Sequence, residues 1–457
     1  MDGAVDAVDF VLREIALFAA AGFLALGLSD LLLDLIWLSR AGAGAGRRRG
    51  RAPETVLELA EPAEPGPLAV FVPAWDEAAV IAPMLRHAFA AFGSGDVRIY
   101  VGCYPNDPAT IAAVRSVSDP RLRPVLGPAP GPTTKADCLN RIWEAMRADE
   151  EACGRRFKAV VLHDAEDVVH SAELAIFSLL AERYDLVQLP VLPLIDARSR
   201  WIGGHYADEF AEAHAKGLVV RAAIGAALPS AGVGCAIGRA ALDRLAERHG
   251  GVPFDADSVT EDYELGLRLR QAGGRAVFVR IAAAPGRPIV ATRELFPATL
   301  AAAVSQKARW MRGIALSGWE RLGWSGGVAE RWMRMRDRQS VLAALLLAAG
   351  YTALLLWTLR TLGVLAAGLP PIAIPEPLRL LLMLNGGLLL WRLGMRFSFA
   401  AHAYGWREGL RSVPRTVIGN IVEMLAAREA VMRYAAAGVG PAWDKTRHAF
   451  PAEAPAE

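Results

Sequence analysis

The sequence predicts an α/β domain with a mostly parallel sheet, joined to about three membrane-spanning helices and to amphipathic segments at the membrane surface. Apolar, strand-like segments alternate with segments of helical periodicity between residues 68 and 192. Long stretches almost free of charge lie near residue 1 and after residue 339. The chain is 53% hydrophobic and only 21% charged, which departs from ordinary soluble proteins in the direction that membrane segments explain.

Charge and cysteine content exclude several classes of protein. The formal net charge of +2 is too small to indicate a nucleic-acid-binding protein. The four cysteines lie far apart and form no C-x-x-C pair, so neither a zinc site nor a disulfide framework is indicated. We therefore expect a reducing compartment.

The first segment, residues 1–40, is predicted to be a membrane anchor. Residues 15–38 are apolar apart from Ser29, Asp30 and Asp34, and they are long enough to cross a bilayer. Acidic residues precede this stretch and the basic run 47–51 follows it, so we expect the N-terminus outside and the rest of the chain on the cytoplasmic side. A cleaved signal peptide is the alternative, but its first residues are normally basic.

Residues 41–66 are rich in Gly, Ala, Pro and Glu and are predicted to form a linker, followed by an α/β domain over residues 67–294. The predicted strands are 68–75, 96–104, 121–128, 157–164, 185–192 and 275–281. The carboxyl ends of parallel strands meet at one edge of a sheet, where ligands bind in open α/β folds. The residues that follow these strands are therefore candidates for a site.

The strongest candidates follow the apolar strand Ala159–Leu162. Asp164 and Glu166 are spaced to offer oxygen ligands to Mg²⁺ or Mn²⁺, which can bridge the diphosphate of a nucleotide. A solvated turn is the alternative for an isolated D-x-E motif. Glu77 and Asp107 follow two further strands, and both are also typical of helix starts.

Two further segments carry candidate polar groups at predicted helix starts. Lys135 opens a helix, a position that the helix dipole disfavours, so either a phosphate partner or ordinary exposure explains it. Thr260-Glu261-Asp262 opens another helix, where Thr260 is a candidate cap and Asp262 a candidate general base. Between these segments, residues 229–238 form a glycine-spaced loop that lets the backbone approach a ligand or simply pack tightly.

The C-terminal third alternates between interfacial and membrane-spanning segments. Residues 295–338 are predicted to be amphipathic and interfacial, and they contain Gln306-Lys307-Ala308-Arg309-Trp310. Residues 339–406 contain two predicted crossings, and the basic tail 407–457 is expected at the cytoplasmic side.

Four charged residues fall inside the predicted crossings. Asp30 and Asp34 share one helix face near the cytoplasmic end of the first crossing, and Arg392 and Arg396 share a face at matching depth in the third. Charges in a bilayer normally pair or face a wet cavity, so we expect these two faces to meet. Snorkelling of the arginines to the interface is the alternative.

The motifs in this order resemble the inverting family 2 glycosyltransferases, which have the GT-A fold, a Rossmann-like domain with a mostly parallel sheet. Asp164-Ala165-Glu166, Thr260-Glu261-Asp262 and the Gln306 to Trp310 motif carry the resemblance together, between about Leu68 and Trp310. Tyr104-Pro105-Asn106-Asp107-Pro108, and Trp443-Asp444-Lys445-Thr446 with His448, are similar to the bacterial phage-adsorption protein B family of membrane glycosyltransferases.

The resemblance implies a role for each motif residue. Asp262 is the expected catalytic base, with Glu261 beside it. Asp164 and Glu166 are the expected ligands of Mg²⁺ or Mn²⁺. Gln306, Arg309 and Trp310 are expected to bind the diphosphate and the acceptor sugar. The residues expected at the nucleotide-sugar donor are Ala74, Glu77, Asp107, Lys135, Asp137 and Asp164.

The implied function is transfer of a hexose or N-acetylhexosamine from a nucleotide sugar, expected to be a UDP-sugar, to a glycan or lipid-linked acceptor at the bacterial inner membrane. The product would be a surface or secreted polysaccharide able to act as a phage receptor. Glu166 departs from the commoner second aspartate. Three crossings are also few for a self-contained export channel, so an outer-membrane export partner is considered. The alternatives are a polyprenyl-phosphate glycosyltransferase and a catalytically silent receptor or assembly component, although fold alone would not require the acidic residues.

Overall fold

The structure is a computed structural model that describes residues 2–46, 55–367, 369, 371–436, 445–446 and 448–451. The basic run 47–51 and the residues Trp443 and Asp444 lie outside this described part. The first helix continues to Gly46, beyond the start of the expected linker at residue 41.

The strands are β1 Leu68–Pro73, β2 Val97–Cys103, β3 Leu122–Leu126, β4 Ala159–Leu162, β5 Leu186–Gln188, β6 Cys235–Gly238 and β7 Ala276–Phe278. The helices are α1 Asp2–Gly46, α2 Ile81–Phe92, α3 Pro108–Arg115, α4 Lys135–Cys153, α5 Glu173–Leu180, α6 Ile202–Glu212, α7 Leu218–Ala223, α8 Arg239–Arg248, α9 Glu261–Gln271, α10 Leu300–Met311, α11 Gly318–Leu322, α12 Val328–Arg338, α13 Ser340–Ala367, α14 Glu376–Tyr404 and α15 Trp406–Ala435. Short π-helical turns at Ala213–Gly217 and Arg312–Ser317 join α6 to α7 and α10 to α11.

One sheet of seven strands organises the α/β domain, in the order β3-β2-β1-β4-β6-β5-β7. Every pair is parallel except those of β6, which runs antiparallel to both β4 and β5. The expected mostly parallel sheet is therefore confirmed. The carboxyl ends of β1, β2 and β4 lie side by side, which places the residues that follow them at one edge.

The sheet is buried on both faces, which explains its continuous apolar strands. Along β1, Val70 and Val72 face a core with α2, α3 and α5, whereas Ala69 and Phe71 face a core with α4, α8 and α9. Alternate side chains of a strand point to opposite faces, so two helical layers need apolar residues at every position.

Helices α1, α13 and α14 are long and apolar enough to cross a membrane, as the sequence predicted. Helix α1 packs against both others, with Leu12, Ala16 and Ala20 near Ala353 and Leu378. Helix α15 lies against α14, α10 and α6. It connects the membrane helices to the α/β domain.

The α/β domain contacts the same end of this bundle through α1 and α14. The indole nitrogen of Trp37 donates to the Ala215 carbonyl oxygen at 3.0 Å, and the Tyr404 hydroxyl donates to the Pro193 carbonyl oxygen at 2.9 Å. The chain leaves α1 and α14 at these ends. This arrangement agrees with an odd number of crossings between the N-terminus and the domain.

The expected meeting of the charged faces of α1 and α14 is confirmed for one pair only. Asp30 pairs with Arg392, and it also accepts from Arg336 at 2.7 Å. The expected pairing of Asp34 with Arg392 or Arg396 is wrong, because Asp34 pairs with Lys216.

Arg396 instead lies 3.5 Å from Glu212. The π-helical turn after α6 brings Lys216 to the bundle. Nothing in the local sequence pattern of the crossings places this lysine beside α1.

Candidate active site

Asp164 lies just after the end of β4, where a lysine from the preceding helix, α4, faces it. Thr134 caps α4 by accepting from the Asp137 backbone nitrogen at 3.1 Å, which sets Lys135 in the first turn. The Lys135 ammonium lies 2.6 Å from Asp164. Although burial alone would lower it, Asp164, Glu261 and Asp262 raise the pKa of Lys135. The lysine that the dipole disfavours therefore has an acidic partner inside the site.

Glu166 belongs to a second group, formed with Glu77 and His448. His448 Nδ1 lies 3.0 Å from Glu166 and 3.2 Å from Glu77. Ligand atoms of these three residues lie within 4.8 Å of one another, a spacing that a metal ion can bridge. Although burial alone would lower it, Glu166 and Glu77 raise the pKa of His448 to about 10. A positive charge is thus favoured at this position, and the donor set fits a divalent cation.

The segment that carries His448 was not predicted to reach the site. Lys445 lies 3.2 Å from Glu77 and also contacts the Asp76 carbonyl oxygen. Phe450 packs against His87 and the domain core. His448 lies far from the other motifs along the chain, and only the resemblance to the phage-adsorption protein B family drew attention to it.

A buried histidine holds the loop after β4. His163 is fully buried and lies 2.7 Å from Asp167 and 2.8 Å from Glu173. The same Asp167 oxygen also accepts from the Asp164 backbone nitrogen, at 3.0 Å. Although burial alone would lower it, Glu173 and Asp167 raise the pKa of His163 to about 10. These residues position Asp164, and the sequence reasoning assigned them no role.

Asp262 and Glu261 lie in the first turn of α9, as expected. Burial raises the pKa of Asp262, while Lys135 opposes that rise. Burial and the neighbouring Asp262 raise the pKa of Glu261 to about 7. Gly232 has φ of 77°, and a Cβ there would lie 2.5 Å from an Asp262 oxygen. The glycine-spaced loop therefore makes the room that Asp262 occupies.

The expected cap by Thr260 does not form. Its side chain makes no capping hydrogen bond, and its hydroxyl is buried without a partner among the described residues. A Cβ on Gly313 would lie 2.4 Å from this hydroxyl. The close contact fixes the π-helical turn after α10 against the start of α9.

Three residues expected near the donor are already paired with other residues or buried. Asp107 caps α3 by accepting from the Thr110 nitrogen, and it accepts from the Asp76 nitrogen at 2.6 Å. Asp137 pairs with Arg141 at 2.7 Å. Ala74 is fully buried just beyond β1. Asp107 thus serves the backbone at this edge of the sheet.

The expected acceptor motif lies on α10, close to Glu261 and Asp262. Arg309 is near enough to Glu261 and Asp262 to influence their ionisation. Trp310 packs edge-on against Tyr206 and Phe296. The Gln306 carbonyl oxygen is buried without a partner in the described part of the chain.

Lys307, to which no role was given, is the structural member of this motif. Its ammonium lies 2.6 Å from both Glu209 and Glu423, and its side chain is 4% exposed.

Another acid near the site was missed. Burial, with Asp167 and Glu166 nearby, raises the pKa of Glu294 well above its usual range. Its position after β7, on an irregular segment, carried no motif.

The comparisons with known proteins agree with this geometry. The family profile described as "Glycosyltransferase like family 2" matches residues 65–313. The chain is 34% identical, over 96% of its length, to bacteriophage adsorption protein B of Escherichia coli K12 and to bacteriophage N4 adsorption protein B of Escherichia coli O157:H7. It spans 62% of the length of these relatives.

Among solved structures, the mannosyltransferase PcManGT from Pyrobaculum calidifontis, in complex with GDP-Man and Mn²⁺, has a similar fold. The TM-score is 0.54 at 18% identity, covering 92% of this chain and 99% of that chain. The expected GT-A fold is confirmed. Because the family profile covers more than half of the sequence, this chain belongs to the glycosyltransferase-like family 2.

Proposed function

We propose that this protein is an inverting glycosyltransferase of the bacterial inner membrane that transfers a hexose or N-acetylhexosamine from a UDP-sugar to a glycan acceptor. The observation that carries the proposal is the meeting of Asp164, Lys135, Glu261 and Asp262 at one edge of the sheet. A silent receptor would not require buried acids that raise one another's pKa values. The names of the two curated relatives support a product that is a surface polysaccharide.

In this proposal, Asp262 removes the proton from the acceptor hydroxyl as that oxygen attacks the anomeric carbon. Its raised pKa brings the base closer to neutral pH, where proton transfer is more effective. The rate should therefore fall as pH decreases through that raised pKa, because only the ionised carboxylate accepts a proton. The neighbouring Glu261, whose pKa burial and Asp262 raise to about 7, lies beside this base.

Cationic groups balance the charge on the departing nucleoside diphosphate. Lys135 already faces Asp164, and Arg309 approaches from α10. Trp310, held among Tyr206 and Phe296, offers an aromatic surface for the acceptor sugar.

The residues that would hold Mg²⁺ or Mn²⁺ are Asp164 and Glu166. Glu77 and His448, whose ligand atoms lie within 4.8 Å of that of Glu166, would add to the donor set. Such a cation supplies counter-charge for the diphosphate.

The proposed placement puts the α/β domain on the cytoplasmic side and the N-terminus outside. Domain contacts at one end of the membrane helices support this, as does the basic character of the segments near that end. The lipid bilayer and a growing glycan are then the partners of this chain. An outer-membrane protein would complete export.

The test is to supply the purified chain in nanodiscs with radiolabelled UDP-sugars and GDP-mannose, with Mn²⁺ or EDTA. We expect incorporation from a UDP-sugar in Mn²⁺ only. In the Asp262→Asn variant, turnover should fall by at least ~100-fold while UDP affinity is kept, the usual scale for loss of a general base.

Asp257→Asn is the matched control, since Asp257 is exposed just before α9. Incorporation from GDP-mannose alone would refute the donor class. If UDP affinity and turnover fall together in Asp262→Asn, then Asp262 binds the donor and is not the base.

A further inference from the structure

A cavity of about 450 Å³ lies between the α/β domain and the end of the third membrane helix. Val168 and Val169 of the loop after β4 line one side, and Tyr404 and Glu408 line another. Tyr404 is the last residue of α14, so the cavity lies where the membrane bundle meets the domain. Its size is within the range of small-ligand sites.

Three arginines line this cavity: Arg200, Arg287 and Arg293. Within the described part of the chain, no carboxylate pairs with any of the three. Glu408, the acidic residue of the lining, already forms ion pairs with Arg415, at 2.6 Å, and with Arg411. The cavity therefore has an excess of positive charge.

Arg293 is the most costly of the three to keep unpaired. It is only partly exposed, and its burial lowers the pKa of the guanidinium. A buried charge without a counter-charge is destabilising, so a ligand that supplies negative charge would be favoured here. Guanidinium groups match the oxygens of phosphate in particular, because their N–H groups donate in pairs.

We propose that this cavity binds a phosphate group, either free or on a lipid headgroup, behind the loop that carries Asp164 and Glu166. The proposal goes beyond sugar transfer and does not depend on it. The location at the end of α14 makes a headgroup phosphate accessible to the same three arginines that would bind inorganic phosphate.

The cavity is connected to the active site by backbone hydrogen bonds. Val168 donates to the Arg293 carbonyl oxygen at 2.7 Å, and Arg293 donates back to Val168 at 3.1 Å. The next residue, Glu294, lies near Asp167, Glu166 and Asp164. A bound phosphate would therefore stabilise the segment that borders both sites.

The test uses the full chain in detergent, in EDTA, and the Arg200→Gln/Arg287→Gln double variant, in which both replaced residues are exposed. Arg198→Gln is the control, because it removes one positive charge from a neighbouring exposed position outside the cavity. One arm titrates inorganic phosphate against chloride at constant ionic strength by calorimetry. The other measures retention of phosphatidic acid and of phosphatidylcholine by native mass spectrometry.

We expect the double variant to lose at least ~10-fold in affinity in one arm or both, while Arg198→Gln behaves as the parent chain. Loss in the lipid arm alone assigns the site to a headgroup, and loss in the calorimetric arm alone assigns it to free phosphate. The proposal is overturned if the parent chain binds in neither arm. It is equally overturned if Arg198→Gln weakens binding as much as the double variant.

Discussion

Asp164 and Glu166 are close in sequence, yet they have different partners. Asp164 faces the Lys135 ammonium, whereas Glu166 is 2% exposed and faces His448. In both cases a positive group already neutralises the carboxylate, as a divalent cation would. A metal bound with its nucleotide would replace the Lys135 contact of Asp164, whereas His448 would lose its proton and become a ligand beside Glu166, so each residue can be tested separately.

For Asp164→Ala, we expect Mn²⁺-dependent UDP binding to be lost, because the diphosphate would lack its largest local counter-charge. Isothermal titration of UDP with Mn²⁺ and with EDTA measures this. Asp257→Ala, at an exposed position, should bind as the parent chain does. Unchanged metal-dependent binding in Asp164→Ala would place the metal elsewhere.

For His448→Ala, we expect Mn²⁺ affinity to fall by at least ~10-fold, with the fold intact, because one ligand of the donor set is removed. Electron paramagnetic resonance of free Mn²⁺ during titration measures the affinity. His402→Ala, which changes an exposed histidine at the end of α14, is the control. Equal affinities in the two variants would exclude His448 from the metal site.

At the scale of elements, α10 carries the Gln306 to Trp310 motif, and ion pairs with two other helices fix the position of α10. Lys307 joins α10 to α6 through Glu209 and to α15 through Glu423. Although burial alone would raise it, Lys307 lowers the pKa of Glu209 to about 2. This arrangement stabilises the position of Arg309 and Trp310 without contacting a substrate.

We expect Lys307→Met to reduce stability by about 3 kcal/mol near neutral pH, since it leaves two half-buried carboxylates without the buried ammonium that they share. The pKa of Glu209 is depressed, so its contribution is complete above its ordinary value of 4.5 and is lost as pH falls toward 2. Thermal unfolding in detergent between pH 7 and pH 3 should therefore show the difference from the parent chain shrinking. Arg155→Met, at the exposed ion pair with Asp96, should cost less than about 1 kcal/mol. A difference independent of pH would contradict the assignment.

At the scale of the whole molecule, charged residues connect the membrane bundle to the catalytic domain. Asp34 is 3% exposed and bonds to Lys216, which also pairs with Glu212. The Trp391 indole donates to Asp34 at 2.8 Å, so the aspartate is bonded from α14 as well. The position of the domain on the bundle thus depends on charges that are costly to leave unpaired.

We expect Asp34→Lys to lower the thermal stability in detergent, because two ammonium groups would then face each other. Adding Lys216→Asp should recover part of the loss, with a coupling energy of about 1 to 3 kcal/mol. Adding Arg396→Asp to Asp34→Lys is the control and should recover nothing, because Arg396 lies against Glu212. If Arg396→Asp instead recovers stability, Asp34 pairs with Arg396, as helix periodicity predicts.

The sequence by itself determined the α/β domain, its strands and the three apolar crossings, because burial on two faces and in a bilayer demands uninterrupted apolar segments. It also placed Asp164, Glu77 and Asp107 at one edge, since parallel strands end together. The Asp30 and Arg392 pair followed from helix periodicity in the same way.

Only the tertiary structure decided the antiparallel course of β6, the pairing of Asp34 with Lys216 and the approach of His448 to Glu166. Each joins residues far apart along the chain, whose meeting depends on how whole elements pack. Local periodicity specifies which face of an element is apolar or charged, but it carries no information about which distant side chain will lie against that face.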